Sequence, residues 1–374
     1  MKKILLISSF YSEYISAGTS QRTKDIKKGL TNLGWKCKVV TIKRSKNPIE
    51  NEPDKKDIIG INSLSGRYII PIYPLLKFFS ELKSSNLVHI IDHWSGLNII
   101  SVIFCVISKT PYIYSPCGAL KPIGRNILIK KLYNFIFLKF FLNNAKYIFA
   151  VTKHEQSEIA LLSKKKTKIK VIPNGIWDKS ESNFKIDIKT KKKLEYLIKP
   201  KKFILFVGRL SYVKGPDILF DAFLKINNRD KYSLVYVGPD ENMKREILKK
   251  LMNFPNIKNV IFLGAVTPTV RNFCMQNALL TVIPSRKEAM SMVALETSIL
   301  GTPFIATESC GLDDFSINKA GFICGHNSSS ITERLNFLLK NPEEISITGK
   351  NAQSYVRKNY TWDKILLEMN SYIK

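Results

Sequence analysis

Acidic residues are scarce in this sequence. Of its 374 residues, 30 are Asp or Glu and 59 are Lys or Arg, so the formal net charge is +29. A basic chain can bind nucleic acid, but no nucleic-acid-binding motif accompanies the charge, and we expect no nucleic-acid partner. Hydrophobic residues make up 45% of the sequence, which is enough for well-packed cores and argues against disorder.

Long apolar runs are also missing. A membrane-spanning helix needs roughly 18–20 apolar residues, and the nearest candidate, residues 97–107, is closed by Lys109. Residues 1–7 resemble the start of a signal peptide, but the apolar run stops at Ser8, and Glu13 follows without a cleavage-like pattern. We therefore interpret residues 4–8 as a first buried strand and expect a cytoplasmic protein.

Cysteines are few, and their spacing does not suit metal binding. The six cysteines are Cys37, Cys105, Cys117, Cys274, Cys310 and Cys324. They form no CxxC pair, so in a chain of this length we expect reduced, mostly buried thiols. This excludes a disulfide framework and a zinc site of the usual spacing.

Alternating strand-like and helix-like segments predict an α/β protein with two doubly wound domains. The strand-like segments of the first half are residues 4–8, 38–42, 87–91, 112–115 and 147–151. The alternation restarts at residue 203, after a polar, lysine-rich segment at residues 178–202 that we interpret as a linker. A ligand is expected in a cleft between the two domains.

Two cations lie on the loop after the first strand of the second half. The strand ends at Gly208, and a helix opens at Pro216, which is a favourable first-turn residue. Arg209 and Lys214 therefore lie at the carboxyl end of a strand, which faces the ligand crevice in such sheets. Two cations suit a diphosphate, although solvated surface cations would give the same pattern.

A second cluster contains two glutamates. Glu288 follows a strand and precedes the small residues Ala289 and Ser291, and Glu296 lies on the next helix. Small side chains let the amides at a helix start approach an anion. Eight helical residues would separate the carboxylates by roughly 12 Å, whereas a retaining glycosidase pair is about 5–5.5 Å apart. The glutamates fit two contacts along one elongated ligand, or two solvated carboxylates.

These motifs resemble those of the retaining family 4 glycosyltransferases of GT-B fold (glycosyl transferases group 1). Glu288 and Glu296 have the family's spacing, with Pro284-Ser285 before them and Gly301-Thr302-Pro303 after them. Three further segments resemble the family: Gly208-Arg209-Leu210 with Lys214-Gly215, Ile172-Pro173-Asn174-Gly175-Ile176, and Phe262-Leu263-Gly264-Ala265-Val266. The match runs from about residue 145 to residue 374 and is looser before it.

The resemblance implies a GT-B architecture of two Rossmann-like domains with a ligand cleft between them. Residues 1–175 would bind the acceptor, and residues 176–355 would bind the nucleotide-sugar donor. Residues 356–374 would form a C-terminal helix that packs back toward the N-terminal domain.

The resemblance also implies roles at the donor site. Arg209 and Lys214 would hold the diphosphate and neutralise the leaving group, so that neither a metal nor another cofactor is needed. Glu288 would contact sugar hydroxyls near the reacting carbon, and Glu296 would contact the ribose. The other donor-binding residues would be Gly208, Ala289, the amides of Met290, Ser291, Met292 and Val293, and Val266, which would meet the base through its main chain.

One histidine is assigned by the same resemblance. Residues 88–96 resemble the strand end that supplies a histidine to the donor sugar, and His93, at the end of the strand, is our choice. His89 occupies an internal strand position, and we interpret it as a core residue.

The sequence departs from the family pattern at three positions. Gly18 lies where the family has a glycine-rich acceptor loop, but one glycine stands where two are common. Ala289 and Ser291 replace glycines that often follow the first glutamate. These replacements tighten the room around the sugar and could alter donor preference.

Residues 101–150 contain seven Lys or Arg and no Asp or Glu. An aromatic, apolar stretch at residues 132–142 lies among them, and this combination is typical of a surface that rests on an anionic membrane. We expect Phe135, Phe137 and Phe141 to insert and the protein to lie on the inner face of the cell membrane. An ordinary core helix in a lysine-rich protein would give the same pattern.

The implied reaction moves a hexose-type residue from a nucleoside diphosphate sugar to a hydroxyl of a glycan or polyprenyl-diphosphate-linked acceptor, with retention, in bacterial surface polysaccharide synthesis. The leaving diphosphate would assist deprotonation of the acceptor, so catalysis would be mostly positioning and charge stabilisation. Two alternatives are a nucleotide-sugar epimerase of the same fold and a non-catalytic membrane-associated scaffold. The presence of both cations and both glutamates argues against the scaffold.

Overall fold

The computed structural model describes residues 2–11, 18–43, 55–64, 71–122, 126–163, 168–178, 186–198 and 202–374. The chain forms two compact units, of which the first is Met1–Gly175 with Trp362–Lys374 and the second is Ile176–Thr361. Each unit has its own sheet covered by helices. The predicted fold class, two α/β domains with parallel sheets, is confirmed.

The sheet of the first unit has the strand order β4-β3-β2-β1-β5-β6-β7-β8. The strands are β1 (Lys3–Ile7), β2 (Lys36–Ile42), β3 (Ile58–Ser63), β4 (Pro71–Tyr73), β5 (Leu87–Ile91), β6 (Tyr112–Ser115), β7 (Tyr147–Ala150) and β8 (Ile169–Val171). Adjacent strands are parallel except β3 and β4. Every residue of β5 is buried, as expected for a central parallel strand covered on both faces.

The helices of the first unit connect these strands. They are α1 (Gly18–Asn32), α2 (Leu75–Lys83), α3 (Gly96–Ser108), α4 (Ile127–Tyr133), α5 (Lys139–Asn144) and α6 (Lys153–Leu162). One π-helical turn, Asn134–Leu138, joins α4 to α5. At the start of α3, the Ser95 side chain accepts a hydrogen bond from the Asn98 amide. At the start of α6, the Thr152 side chain accepts one from the Glu155 amide. Ser and Thr commonly cap helices in this way.

The sheet of the second unit has the order β11-β10-β9-β12-β13-β14. Its strands are β9 (Phe203–Val207), β10 (Ser233–Val237), β11 (Val260–Gly264), β12 (Leu280–Ile283), β13 (Phe304–Thr307) and β14 (Phe322–Cys324), all paired in parallel. Its helices are α7 (Ile188–Leu197), α8 (Pro216–Phe223), α9 (Met243–Leu251), α10 (Pro268–Asn277), α11 (Met292–Ile299), α12 (Asp313–Ile317), α13 (Ser328–Lys340) and α14 (Pro342–Asn359).

The lysine-rich segment at 178–202 is not a linker throughout. Helix α7 begins after Asp187, whose side chain accepts a hydrogen bond from the Thr190 amide. Leu194 and Ile198 are buried in one apolar cluster with Phe203, because apolar residues four apart lie on one helix face. The linker prediction is therefore wrong for residues 186–198. Residues 179–185 and 199–201 lie outside the described residues.

Helix α15 (Trp362–Ile373) returns the chain to the first unit. The predicted limit between residues 355 and 356 lies inside α14, and the first unit resumes only at Trp362. A Cβ atom added at Gly29 of α1 would lie 1.9 Å from Leu366 Cδ1, so α1 and α15 are in close contact. The buried Trp35 indole Nε1 donates a hydrogen bond of 2.9 Å to Asn370 Oδ1.

Candidate functional site

The predicted donor residues gather at the carboxyl ends of β9 and β12. The chain leaves β9 toward β10 and β11 on one side, whereas β12 leads to β13 and β14 on the other. The loops after β9 and β12 therefore flank the topological switch point of this sheet. Ligands of open α/β sheets bind at such a point, outside the carboxyl ends of the strands.

Glycines allow these loops to pack closely. Gly208, which follows β9, has a φ of +147°. A Cβ atom at Gly238 would lie 1.9 Å from Gly208 O, and one at Gly215 would lie 2.1 Å from Pro284 O. Backbone segments approach this closely only where no side chain intervenes. The loop that carries Arg209 and Lys214 is thereby held against the ends of two other strands.

Lys214 and Glu288 meet at this switch point. Lys214 Nζ lies 2.8 Å from Glu288 Oε1, and Ser285 Oγ donates a hydrogen bond of 2.5 Å to the same oxygen. The Glu288 amide donates to Ser309 O at 2.8 Å. The Glu288 side chain is 10% exposed and that of Lys214 is 25% exposed, so this ion pair is fixed in place but still reaches the surface.

Arg209 and Glu296 have partners of their own. Arg209 Nη1 lies 2.6 Å from Glu241 Oε1, and both side chains are about half exposed. Glu296 Oε1 accepts from Arg271 Nη2 at 3.0 Å, which joins α11 to α10. Because α11 begins only at Met292, half of the interval between Glu288 and Glu296 is non-helical, and the separation of roughly 12 Å expected for a continuous helix does not apply.

The helix-start segment is only partly available to a ligand. The Ser291 amide donates to Cys310 O at 3.1 Å, so it is already engaged. Ser291 precedes α11 without a side-chain capping bond, and among the described residues its buried Oγ finds no hydrogen-bond partner. Met290 is buried, and Ala289, Met292 and Val293 are partly exposed.

A pocket of about 100 Å³ lies beside Gly208 and Gly238. Its lining includes Leu210, Gly238, Phe262, Gly264 and Ala265. The Phe262 ring stacks on Tyr236 with centroids 4.9 Å apart. Val266 follows this lining directly, and its side chain packs against the apolar cluster of β9 and β10. Its main chain thus lies next to the pocket while its side chain serves the core.

An ion pair that the motif analysis did not assign ties the two loops together. Arg286 Nη1 and Nη2 donate to the two carboxylate oxygens of Asp217 at 2.9 and 2.6 Å. The guanidinium also donates to Tyr212 O at 2.6 Å and lies 3.9 Å from the centre of that ring. Burial opposes ionisation of Asp217, but Arg286 holds the pKa of the carboxyl below its usual value. The signal in the sequence was their opposite charge, with Asp217 directly after Pro216 and Arg286 directly after Ser285.

In the first unit, the His93 ring is buried and both of its nitrogens are engaged. Nδ1 bonds the Tyr114 hydroxyl, and Nε2 lies 2.7 Å from Asn134 Oδ1. Burial lowers the pKa of His93 to about 4. A sugar contact would require one of these bonds to break, so the role of His93 stays a prediction. His89 is buried, with Nε2 2.8 Å from Ser115 Oγ, which agrees with the core position we expected.

Gly18 is the first residue of α1, and a Cβ atom added there would meet no atom within 4 Å. The preceding residues, 12–17, lie outside the described residues. The acceptor role of Gly18 therefore stays a prediction.

Comparison with known proteins places both units in one class of enzyme. A sequence profile described as Glycosyltransferase Family 4 matches residues 16–178, and one described as Glycosyl transferases group 1 matches residues 187–355. The fold resembles that of HepE from Anabaena, determined with UDP and glucose, with a TM-score of 0.78, 16% identity and 99% of both chains covered. This chain is a GT-B glycosyltransferase.

Two relatives of similar sequence are also glycosyltransferases by name. An uncharacterized glycosyltransferase of Methanocaldococcus jannaschii is 26% identical, with 98% of this chain and 96% of the relative covered. The lipopolysaccharide 1,2-N-acetylglucosaminetransferase of Salmonella typhimurium is 28% identical over 46% of this chain and 48% of the relative.

The glycosyltransferase carries a basic, apolar surface on α4, the π-helical turn and α5, which we call the α4–α5 face. Leu128 is 80% exposed and Phe135 is 85% exposed, whereas Phe141 is completely buried and Phe137 packs against the core. The prediction that Phe141 inserts into a membrane is therefore wrong, because its ring belongs to the core. No helix in the described part of the chain has the length and hydropathy needed to cross a bilayer.

Within the described ranges, no cluster of three or more His, Cys, Asp or Glu side chains could hold a metal ion. The six cysteines are free thiols.

Proposed function

We propose that this glycosyltransferase transfers a hexose-type residue from a nucleoside diphosphate sugar to a hydroxyl of a glycan or lipid-linked acceptor, with retention of configuration. The observation that carries the proposal is the Lys214–Glu288 ion pair at the switch point of the second unit, with Nζ and Oε1 2.8 Å apart. A cation and a carboxylate placed together at this point suit the two halves of the donor, its diphosphate and its sugar hydroxyls.

Each side chain has a defined task in this proposal. Lys214 and Arg209 bind the diphosphate and stabilise the charge that develops as it leaves. Glu288 accepts hydrogen bonds from sugar hydroxyls, and Glu296 accepts them from the ribose. The pocket lined by Gly264 and Ala265 takes the base, with the main chain of Val266 beside it. The first unit binds the acceptor.

Retention is the outcome that the resemblance to the retaining family implies, and the proposal gives neither glutamate the role of nucleophile or base. Glu288 is engaged with Lys214 and Ser285, and Glu296 is engaged with Arg271. The leaving diphosphate then accepts the proton of the acceptor hydroxyl on the same face of the sugar. Catalysis consists of positioning and stabilisation of the leaving charge. The two cations replace a metal ion, and we expect activity to persist in excess EDTA.

A surface polysaccharide is the acceptor class that we favour. The lipopolysaccharide transferase of Salmonella typhimurium is a relative over about half of this chain, and the α4–α5 face combines cations with exposed apolar side chains. Such a face suits an anionic bilayer, and we propose that it holds the enzyme on the cytoplasmic side of the membrane, near a lipid-linked acceptor.

A thermal-shift screen over nucleoside diphosphate sugars tests the proposal. A ligand at about 100 times its dissociation constant stabilises the folded protein by roughly 2.7 kcal/mol, so the donor is expected to raise the melting temperature of the full chain. Product analysis follows with that donor and an alkyl glycoside. A free, epimerised nucleotide sugar as the only product would contradict the transfer reaction, and no shift with any nucleotide sugar would contradict donor binding.

A further inference from the structure

Asp92 follows β5, next to the topological switch point of the sheet in the first unit. The chain leaves β1 toward β2 and β3 on one side, whereas β5 leads to β6, β7 and β8 on the other. Ser9, which follows β1, donates its amide to Asp92 Oδ2 at 2.7 Å. The carboxylate therefore connects the two strand ends that flank the switch point, where open α/β sheets bind ligands.

The backbone of Asp92 is strained. Its φ is +104°, a region that favours glycine, and non-glycine residues held there cluster at binding and catalytic sites. Capping of the next helix does not need Asp92, because Ser95 caps α3. A glycine would remove the strain, so the aspartate at this position is explained only by its carboxylate.

The carboxylate is held in place without being saturated. Asn98 Nδ2 donates to Oδ1 at 2.6 Å, and the Ser9 amide donates to Oδ2. Each carboxylate oxygen can accept two hydrogen bonds, and Asp92 remains partly exposed. No Lys or Arg of the described ranges forms an ion pair with it. Capacity for an external hydrogen-bond donor is left.

The tyrosines, the cysteine and the histidine beside Asp92 stay neutral where it titrates, whereas the buried Arg22 and Glu155 also act on the shared neighbour Cys117. Burial raises its pKa to about 6, although the bonds from Asn98 and Ser9 lower it. Burial also raises the pKa values of Tyr114, Tyr133 and Cys117, which face it, and lowers that of His93 to about 4. All four neighbours are neutral where Asp92 changes charge.

We infer that Asp92 is an acceptor-binding residue, whose carboxylate accepts a hydrogen bond from a hydroxyl group of the acceptor sugar. The inference rests on the proposed function, in which the first unit binds a hydroxyl-bearing glycan. Among the groups of a nucleotide sugar and a glycan, neutral hydroxyls suit an unpaired carboxylate, whereas a diphosphate would be repelled by it.

The experiment is calorimetric titration of the full chain, with UDP present, using octyl β-D-glucoside and octyl α-D-mannoside as acceptor probes. Wild type and Asp92→Asn are compared at about pH 5 and about pH 7.5, on either side of the pKa of about 6. We expect Asp92→Asn to weaken binding about 10- to 100-fold at the higher pH, the range for a hydrogen bond to a charged group. Wild-type affinity should fall toward that of the variant at the lower pH.

Stability separates this role from a structural one. Because the folded-state pKa lies above the unfolded value, ionised Asp92 lowers stability above about pH 6, and this cost is absent below the unfolded pKa. Asp92→Asn keeps an oxygen for Ser9, loses the bond from Asn98 and removes the charge, so the fall in wild-type melting temperature between about pH 5 and about pH 7.5 should be smaller in the variant, while probe binding falls. A lower melting temperature with unchanged probe binding would make Asp92 structural.

Two further variants complete the test. Asp92→Gly relieves the strained φ, and it should lose probe binding like Asp92→Asn. Glu155→Gln is the matched control, because Glu155 is also buried with a raised pKa but accepts from the Gly118 and Val151 amides at 2.5 and 2.7 Å; its probe binding should equal that of wild type.

Wild-type affinity in both Asp92 variants, or no probe binding by wild type, would overturn the inference. Donor binding is measured separately by thermal shift, so a failure of the donor site counts against the proposed function alone.

Discussion

At the residue scale, the charges of Lys214 and Glu288 neutralise one another. A diphosphate that approaches Lys214 brings more negative charge than the single carboxylate it competes with. Binding of the donor would draw the ammonium toward the phosphates and leave Glu288 free to accept hydrogen bonds from the sugar. The ion pair thus holds the two groups of the proposed donor site 2.8 Å apart.

The first prediction concerns the two cations of the β9 loop. Lys214→Ala and Arg209→Ala should each lower turnover by about 10²–10³, the scale for losing one group that stabilises leaving charge. Lys340→Ala is the control, because Lys340 is exposed at the end of α13, outside the predicted site. Steady-state kinetics with circular dichroism checks the result. Wild-type turnover in a folded Lys214 or Arg209 variant would remove that residue from the mechanism.

The second prediction concerns the Arg286–Asp217 pair. Arg286→Lys loses the bidentate contact and the hydrogen bond to Tyr212 O, so the loop that positions Lys214 should loosen. Hydrogen bonds to charged groups contribute about 1.5–3 kcal/mol each, and we expect kcat to fall at least tenfold. Arg245→Lys, at an exposed position of α9, should behave like wild type. An unchanged kcat in Arg286→Lys would mean that the loop is held without this pair.

The positions of Lys214 and Glu288 at strand ends could be predicted from the sequence, but their partners could not. Lys214 and Glu288 are 74 positions apart, and the parallel pairing of β9 with β12 brings their loops together. The motif suggested a ligand for each residue and said nothing of a bond between them. The pairing of His93 with Tyr114 and Asn134 was equally hidden, because it depends on β6 and on the π-helical turn.

At the element scale, the segment 127–144 divides its apolar residues between two environments. Tyr133, Leu138 and Phe141 are buried, while Leu128 and Phe135 project outward. Composition alone could not separate these sets, since both are aromatic or aliphatic and lie among the same lysines. The π-helical turn at Asn134–Leu138 also shifts the register, so ideal helical spacing fails here.

The third prediction tests membrane binding by the α4–α5 face. A triple variant should no longer bind anionic vesicles, since each cation near such a surface contributes about 1 kcal/mol. It combines Lys130→Glu, Lys131→Glu and Lys139→Glu. Phe135→Ser should weaken binding through lost apolar insertion. Wild-type binding should also weaken between about 0.1 and 1 M salt, as the screening length falls from about 10 to about 3 Å. Vesicle co-sedimentation with neutral and anionic lipid measures each effect.

The matched control for that experiment changes the same charge in the second unit. This second triple variant alters three exposed lysines and should leave vesicle binding close to that of wild type. It combines Lys231→Glu, Lys249→Glu and Lys350→Glu. Equal binding of wild type to neutral and anionic vesicles, or equal losses in both triple variants, would rule out docking through this face.

At the scale of the whole molecule, the alternation of strands and helices in both halves could be predicted from the sequence, but strands β3, β4 and β14 were not predicted. Apart from Lys3 and His89, the central strands β1, β5 and β9 consist of apolar residues, as is typical of strands buried on both faces of a parallel sheet. Helix α7 was missed because lysines outnumber its two anchoring residues, Leu194 and Ile198. The predicted boundary between residues 355 and 356 also differs from the point at which the chain rejoins the first unit, Trp362.

The fourth prediction tests the contact between α1 and α15. Gly→Ala usually stabilises an exposed helix by about 1 kcal/mol, but at Gly29 the added methyl group would meet buried Leu366. Overpacking costs about 1–3 kcal/mol, so Gly29→Ala should destabilise the first unit. Hydrogen exchange should quicken in β1, β2 and β5 and stay unchanged in β9, β10 and β12. The exposed Asn32→Ala is the control, and uniform quickening in both units would contradict the prediction.

The first unit is built from two separate segments of the chain, and this affects how it folds during synthesis on the ribosome. Trp362, Leu366 and Asn370 complete the packing of α1 and Trp35, yet they are translated after the whole of the second unit. During elongation, the second unit can therefore reach its final packing while the earlier-made unit still lacks a helix. The face of α1 that receives α15 is exposed throughout that interval, and chaperones that recognise apolar surface have their best opportunity to act on this protein there.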